Sequence, residues 1–265
     1  MSKFYELYFS PTGGTLESVK ILGPEIFGIL GMEPVPVNLR NLVRDGGELP
    51  AFSAEDLCLV SVPAFAGRVP MPAAELLQQL EGKGARAILH VVYGNRAIDD
   101  TLLELRDLME GAGFVCAAAC ETVAEHSMFR QFGAGRPDEE DKMELKAFAK
   151  QIAAVLQDSA AEGRLQVPGS YPHRERKPVS AIPSGDENCT GCGVCVGECP
   201  VHAIPAEEPK AVNRELCFGC MRCVSVCPQK ARAISEDIRD KMLPIMEANC
   251  SGRKENRLYL DRSPL

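Results

Sequence analysis

The chain of 265 residues has no tryptophan, only 10 phenylalanines and 5 tyrosines, and 4 histidines. No stretch approaches the ~20 consecutive apolar residues of a membrane-spanning helix. The opening MSKFYELYFSPTGG has no apolar segment behind a basic start, so no secretory leader is expected and the protein reads as cytoplasmic. Positive charge is in deficit, with 29 Lys and Arg against 37 Asp and Glu and a formal net charge of −8. The deficit sits in residues 1–158, where 14 basic residues face 23 acidic ones for a net −9. An acidic chain without a basic patch interleaved with aromatics argues against nucleic-acid binding, and charged partners would present positive surfaces. Also missing are the lysine of a nucleoside-triphosphate loop and the G-x-G-x-x-G turn of a dinucleotide fold, so no NAD(P) signature is present.

Cysteine is the residue in excess, with 12 copies. Eight of them form two runs of one pattern, Cys189-x-x-Cys192-x-x-Cys195-x-x-x-Cys199-Pro200 and Cys217-x-x-Cys220-x-x-Cys223-x-x-x-Cys227-Pro228. Three thiolates at three-residue spacing return to one centre along a tight turn, while the fourth, followed by proline, points away to the neighbouring centre. The pattern predicts one [4Fe–4S] cluster on Cys189, Cys192, Cys195 and Cys227. A second is predicted on Cys217, Cys220, Cys223 and Cys199. Zinc is a weaker alternative, since its sites take paired cysteines or histidines and not a C-x-x-x-C-P partner. A disulfide framework is weaker still, because every cysteine of the two runs already has a cluster position. Over Pro183–Ala233 the chain resembles bacterial-type two-cluster ferredoxins. Gly191, Gly193 and Gly219 stand where a missing Cβ lets backbone N–H groups approach cluster sulfurs. That resemblance implies a small α+β domain of two short βαβ-like halves related by a local two-fold, carrying one electron at a time at low potential.

The first 158 residues alternate strand and helix patterns, which argues for a parallel sheet. Lys3–Phe9, Pro34–Leu39, Asp56–Val62, Ala85–Tyr93 and Phe114–Glu121 read as strands, the third and fourth apolar enough to be buried on both faces. Leu16–Leu30, Pro72–Leu80, Asp99–Glu110 and Glu139–Leu156 read as helices, with Pro24 expected to kink or split the first. The turn Ser10-Pro11-Thr12-Gly13-Gly14-Thr15 opens that first helix. Free N–H groups and the positive end of the helix dipole favour a phosphate there, and the hydroxyls add donors, although the same residues also make an ordinary helix cap.

This turn resembles the S/T-x-T-G-x-T phosphate loop of flavodoxins. The resemblance implies an α/β fold, a flavodoxin-like doubly wound parallel five-stranded sheet of order 2-1-3-4-5, with FMN outside the carboxyl ends of the strands. Ser10, Thr12, Gly13, Gly14 and Thr15 would hold its phosphate. The loops Pro63–Pro70 and Tyr93–Arg96 would flank its ring, with Phe65 or Tyr93 stacking and amides around Gly67 and Gly94 on the polar edge. Asn95 would do likewise, and Arg68 and Arg96 either join them or remain surface charge. His126 is a candidate for the ring's other side, against the competing reading of an ordinary loop histidine. The missing tryptophan and the lack of an acidic, aromatic-rich ring loop depart from flavodoxins. The whole layout instead resembles the flavodoxin–ferredoxin fusion family of anaerobic bacteria and archaea, in which SPTGGT, P-x-F/Y-x-G-R-x-P and YGNR recur together.

The expected organisation is a flavodoxin-like FMN-binding domain (1–158), a linker (159–182), a two-cluster ferredoxin domain (183–234) and a C-terminal helix and tail (235–265). The linker's basic run His173-Arg174-Glu175-Arg176-Lys177 either crosses in extended form or docks on the acidic first domain. The tail should pack against a domain, with Pro244 interrupting its helix. Cys58, Cys116 and Cys120 read as buried packing residues, and Cys250 as a lone thiol. Three functions are compatible with this layout. The first is electron transfer between two low-potential clusters and FMN, serving redox partner proteins. The second is a flavin-dependent reductase acting on a small substrate with electrons fed through the clusters, His126 or Tyr93 donating a proton. The third is a ferredoxin joined to a flavin-free partner-docking or sensor domain.

Overall fold

Buried apolar runs separated by amphipathic ones produce alternating strands and helices in the computed structural model, which describes residues 2–157 and 163–263. The expected boundary at residue 158 and the linker's first residues lie outside the described residues. The order begins β1 (Phe4–Tyr8), α1 (Gly14–Leu30), β2 (Pro34–Asn38), α2 (Leu39–Asp45), β3 (Leu57–Pro63) and α3 (Met71–Leu77). It continues β4 (Arg86–Tyr93), α4 (Thr101–Gly111), β5 (Val115–Val123), α5 (Glu139–Gln157) and β6 (Arg164–Leu165). The C-terminal part holds β7 (Ser184–Gly185), α6 (Val194–Gly197), α7 (Arg222–Val226), β8 (Arg232–Ala233), α8 (Glu236–Cys250), β9 (Arg257–Tyr259) and β10 (Arg262–Ser263).

The sheet runs β2-β1-β3-β4-β5-β9, the first five strands parallel in the order expected of a doubly wound fold. Every residue of β3 is buried, as is all of β4 beyond Arg86, because helices cover both faces. Side chains of α1 and α5 pack on one face around Leu22, Ile26, Leu59, Phe148 and Ile152. Those of α2, α3 and α4 pack on the other around Leu39, Leu77, Leu89 and Leu105. Gly23 marks the closest approach of α1 to the sheet, since a Cβ there would fall 1.8 Å from Glu6 Oε1. His90, fully buried in β4, bonds Ser61 Oγ at 2.9 Å and Thr122 Oγ1 at 2.8 Å. Burial holds its imidazole down to about 3, so it serves as a neutral polar strut.

Four expectations change. The sheet has a sixth strand, because the tail returns as β9 and pairs antiparallel with β5, Leu258 opposite Cys120. A short α2 follows β2 at once, started by Asn38, whose Oδ1 accepts from the N–H groups of Arg40 and Asn41. Pro24 does not split α1, and Pro244 does not interrupt α8. Both prolines lie on exposed faces, so the carbonyl that each leaves unpaired falls on the solvent side of its helix. The basic run takes the docked alternative. Arg176 Nη2 lies 2.6 Å from Glu104 Oε1, the Arg174 N–H donates to Asp100 at 2.7 Å, and His173 Nε2 lies 3.2 Å from Asp107.

Candidate functional site

The C-terminal unit is built twice over the same backbone. Cys217 follows Cys189 by 28 residues, and the left-handed conformations repeat at that offset: Gly191 with Gly219, Gly193 with Met221, His202 with Lys230. One short helix follows the second of these pairs in each half, α6 after Gly193 and α7 after Met221. The Ala203 N–H donates to Cys199 Sγ at 3.3 Å, and its counterpart Ala231 N–H donates to Cys227 Sγ at 3.3 Å. Each proline-flanked cysteine is thereby oriented by the turn that follows it.

The cysteines gather in fours, across the runs and not within them. Cys189, Cys192, Cys195 and Cys227 line one cavity. Cys199, Cys217, Cys220 and Cys223 line a second. None of the twelve cysteines of the chain is paired in a disulfide. Among the described residues no three His, Cys, Asp or Glu groups converge closely enough for a single metal ion. A mononuclear zinc site draws four sulfurs to about 2.3 Å of one point. Here each four instead surround a space, which is what a multinuclear cluster requires. Burial pushes the Cys217 and Cys220 thiols up, which disfavours the bare thiolate at both positions. The Arg232 guanidinium, 2% exposed, lies on the wall of the first cavity with no hydrogen-bond partner at its Nε. A buried cation of that kind fits an anionic cluster.

The second cavity faces the sheet. Phe218, next to Cys217, lies 6.1 Å from the Phe9 ring at the end of β1 and 6.3 Å from Phe65 in the loop after β3. Arg222, next to Cys223, donates from Nη1 to the Pro11 carbonyl at 3.1 Å and from Nε to Glu198 Oε2 at 2.9 Å. Glu198, next to Cys199, also takes Arg40 Nη1 from α2 at 2.8 Å. Arg222 and Arg40 hold its carboxyl below the usual carboxylate range, although burial opposes them. Arg44 Nη1 donates to the Gly197 carbonyl at 3.0 Å, and the Arg44 carbonyl lies 2.7 Å from His202 Nε2.

The Ser10–Thr15 turn stands beside this contact. Ser10 Oγ accepts from the Leu16 N–H at 3.0 Å, and the Gly13 carbonyl accepts from Glu17 at 3.0 Å. Among the described residues the N–H groups of Gly13, Gly14 and Thr15 have no partner, as expected for the first turn of a helix. Gly13 adopts φ 101°, and Gly14 has no room to spare, since a Cβ there would lie 3.1 Å from Ala124 Cβ. Thr12 is half-buried and Thr15 buried.

The ring residues fare differently. Phe65 and Arg68 exchange both backbone hydrogen bonds around Ala66 and Gly67, each at positive φ, and leave Phe65 half-buried beside Phe218. Tyr93 is 7% exposed within the core, and its hydroxyl donates to the Glu255 carbonyl at 2.9 Å, so it braces the tail and has no free face for stacking. Asn95, at φ 58°, gives its amide to the carbonyls of Cys250 and Gly252 and accepts from the Lys254 N–H. Gly94 packs against His126, whose Cα lies 2.8 Å from where a Cβ would be. Arg68 is consumed by Glu104, with Nε and Nη2 each 2.8 Å from a carboxylate oxygen, and Arg96 pairs with Asp99. His126 Nδ1 accepts the N–H groups of Met128 and Phe129 at 3.1 and 3.0 Å, which is the ordinary loop role. Burial and the nearby Arg96 hold its imidazole down to about 4. The side chains of Tyr93, Asn95, Arg68, Arg96 and His126 are thus all engaged by other protein groups, while Phe65 stays half-buried beside Phe218. Sequence reasoning passed over Phe218, Arg222, Glu198 and Arg232. Only the position of each beside a cluster cysteine, or five residues after one, sets it apart along the chain.

No curated protein matches this chain. Among solved structures, the chain is similar to a short-chain flavodoxin associated with a non-canonical PDU bacterial microcompartment, at 17% identity and TM-score 0.40, over 58% of this chain and 98% of that one. It is also similar to a flavodoxin of Streptococcus pneumonia TIGR4, at 18% identity and TM-score 0.39, over 58% and 99%. An NADH:FMN oxidoreductase in its apo form gives 12% identity and TM-score 0.46, over 60% and 91%. Among the described residues no helix is long and apolar enough to cross a membrane. Residues 188–231, which carry the eight cysteines of the two crossed fours, match the family model of the 4Fe-4S dicluster domain.

Proposed function

We propose that the chain transfers electrons between its two [4Fe–4S] clusters and an FMN held at the phosphate turn. The observation that carries this reading is the docking of the second cysteine four on that turn, through Phe218 against Phe9 and Phe65 and Arg222 on the Pro11 carbonyl. FMN would supply two-electron chemistry beside centres that carry one electron each. At the phosphate end the residues fit, because three unpaired N–H groups and the helix dipole meet at Gly13–Thr15. At the ring end they offer Phe65 and backbone, with the tail and linker fastened around the remaining side chains. The role of the protein is then to fix distance, exclude solvent and spare the partners a diffusional encounter. Redox proteins outside the chain would give and take the electrons.

Iron, acid-labile sulfide and flavin measured per chain on anaerobically purified protein test this directly. About eight irons with about one FMN are expected. Thr12→Ala combined with Gly14→Val, which drives a side chain into Ala124, should lower flavin retention and leave iron unchanged. Eight irons without flavin, even after FMN is supplied, would overturn the flavin part and leave a dicluster domain fastened to a sheet domain with another task.

A further inference from the structure

The 28-residue offset gives every position in one cysteine run a mate in the other, and at one buried pair the chemistry breaks the symmetry. Ile204 follows Cys199 by five residues, and Arg232 follows Cys227 by five. Ile204, 4% exposed, packs with Cys199, Ala203 and Cys223 and lines the cavity of Cys199, Cys217, Cys220 and Cys223. Arg232 occupies the corresponding place on the cavity of Cys189, Cys192, Cys195 and Cys227. Its Nη1 donates to Cys195 Sγ at 3.7 Å and to the Pro209 carbonyl, and its Nη2 donates to the Pro183 carbonyl at 3.1 Å. Its hydrogen-bond partners are thus one sulfur and two carbonyls, with no carboxylate among the described residues. Burying an uncompensated charge costs several kcal/mol, so the guanidinium needs an anion.

We propose that Arg232 separates the two clusters in potential, so that the first electron entering the domain settles on the cluster of Cys189, Cys192, Cys195 and Cys227. Reduction adds one negative charge to a cluster, and a fixed cation in a low-dielectric wall stabilises that charge. An N–H···S hydrogen bond acts in the same direction. Ile204 offers its cluster neither. The Arg232 side chain also reaches Cys223, a ligand of the other cluster, but its N–H···S hydrogen bond goes to Cys195 and it lines only the first cavity. Exposure reinforces the difference, because Cys192 is exposed while Cys199, Cys220 and Cys223 are buried. This inference rests on the dicluster assignment and not on the flavin.

The test is a potentiometric titration of anaerobic protein with its full iron content, followed by EPR. A soluble paramagnetic relaxing agent distinguishes the exposed cluster from the covered one. In the native protein the first signal to appear should be the one the agent broadens. Arg232→Ile, which copies the mate, and Arg232→Gln should each shift the electron toward the other cluster by at least tenfold, which for a one-electron couple is about 59 mV. Arg232→Lys should keep most of the native separation. A native protein that reduces its covered cluster first would overturn the proposal, as would neutral variants that retain their iron and the native separation. Should both neutral variants lose iron, the reduction order of the native protein still decides. An iron content well below eight in the native protein would indict the dicluster assignment and not the role of Arg232.

Discussion

The two halves of the dicluster domain share their ligands and their backbone and differ in what they face. Phe218, Met221 and Arg222 in the second half stand where Thr190, Gly193 and Val194 stand in the first. The second set meets the sheet at Phe9, Phe65 and Pro11, while Thr190 and Val194 are exposed, Val194 by 39%. Spacing and turn geometry fix the cysteines in both halves alike, so divergence is confined to the positions between them. There it makes an inner face and an outer face from one repeated unit, and a repeat becomes a path with two ends.

The most damaging way to break the comparison is at the crossed ligands. Cys199→Ala should remove the inner cluster and Cys227→Ala the outer one, each taking the iron content from about eight to about four. EPR would identify the survivor, and loss of the cluster belonging to the mutated run's own three cysteines would refute the crossed scheme. Glu198→Ala comes next. It leaves Arg40 and Arg222 facing each other without their carboxylate, which should weaken docking by about 1–3 kcal/mol. Faster protease cleavage in the linker at unchanged iron content would register this. Phe218→Ala should cost about 1–2 kcal/mol by the same assay, since the ring is half-buried. Val194→Ala, its neighbour's counterpart on the outer face, should stay within about 0.5 kcal/mol.

Acidity sharpens the comparison with the smallest effect. The Glu198 carboxyl is held below its ordinary value in the docked protein. Its contribution is therefore complete above the free carboxylate range, near pH 4.3, and is lost as pH falls through the lower docked value. Linker protection should be flat from pH 8 to about 5 and decline only below that. A decline already under way between pH 7 and 6 would assign docking to a different group.

The parts legible in the sequence were those set by local spacing. The cysteine runs carry their own register, and the folded chain brings together the same fours. Five strands appear within a residue or two of their expected ends, because each is an apolar-rich run and β3, β4 and β5 are almost wholly buried. The sixth strand was illegible: Arg257–Tyr259 is three residues long and takes its structure from the edge of β5. The partners of the ring candidates were illegible for a related reason. Tyr93 and Asn95 sit where a ligand-binding loop should be, but their partners at Cys250–Glu255 lie more than 150 residues away along the chain. Nor does anything near Arg232 mark it as buried; that depends on the carbonyls of Pro183 and Pro209 closing around it.

The return of the tail as β9 also changes the mechanics of the molecule. The dicluster unit is not a bead on a flexible string but an insert clamped at both ends. On one side Arg174 and Arg176 are fastened to the acidic residues of α4 and the loop before it. On the other, Asn256 accepts from the Val123 N–H at 2.9 Å and the edge strand completes the sheet. The contact between the inner cysteine four and the Ser10–Thr15 turn is thereby held from two directions, while Thr190, Cys192 and Val194 on the outer face stay open to solvent.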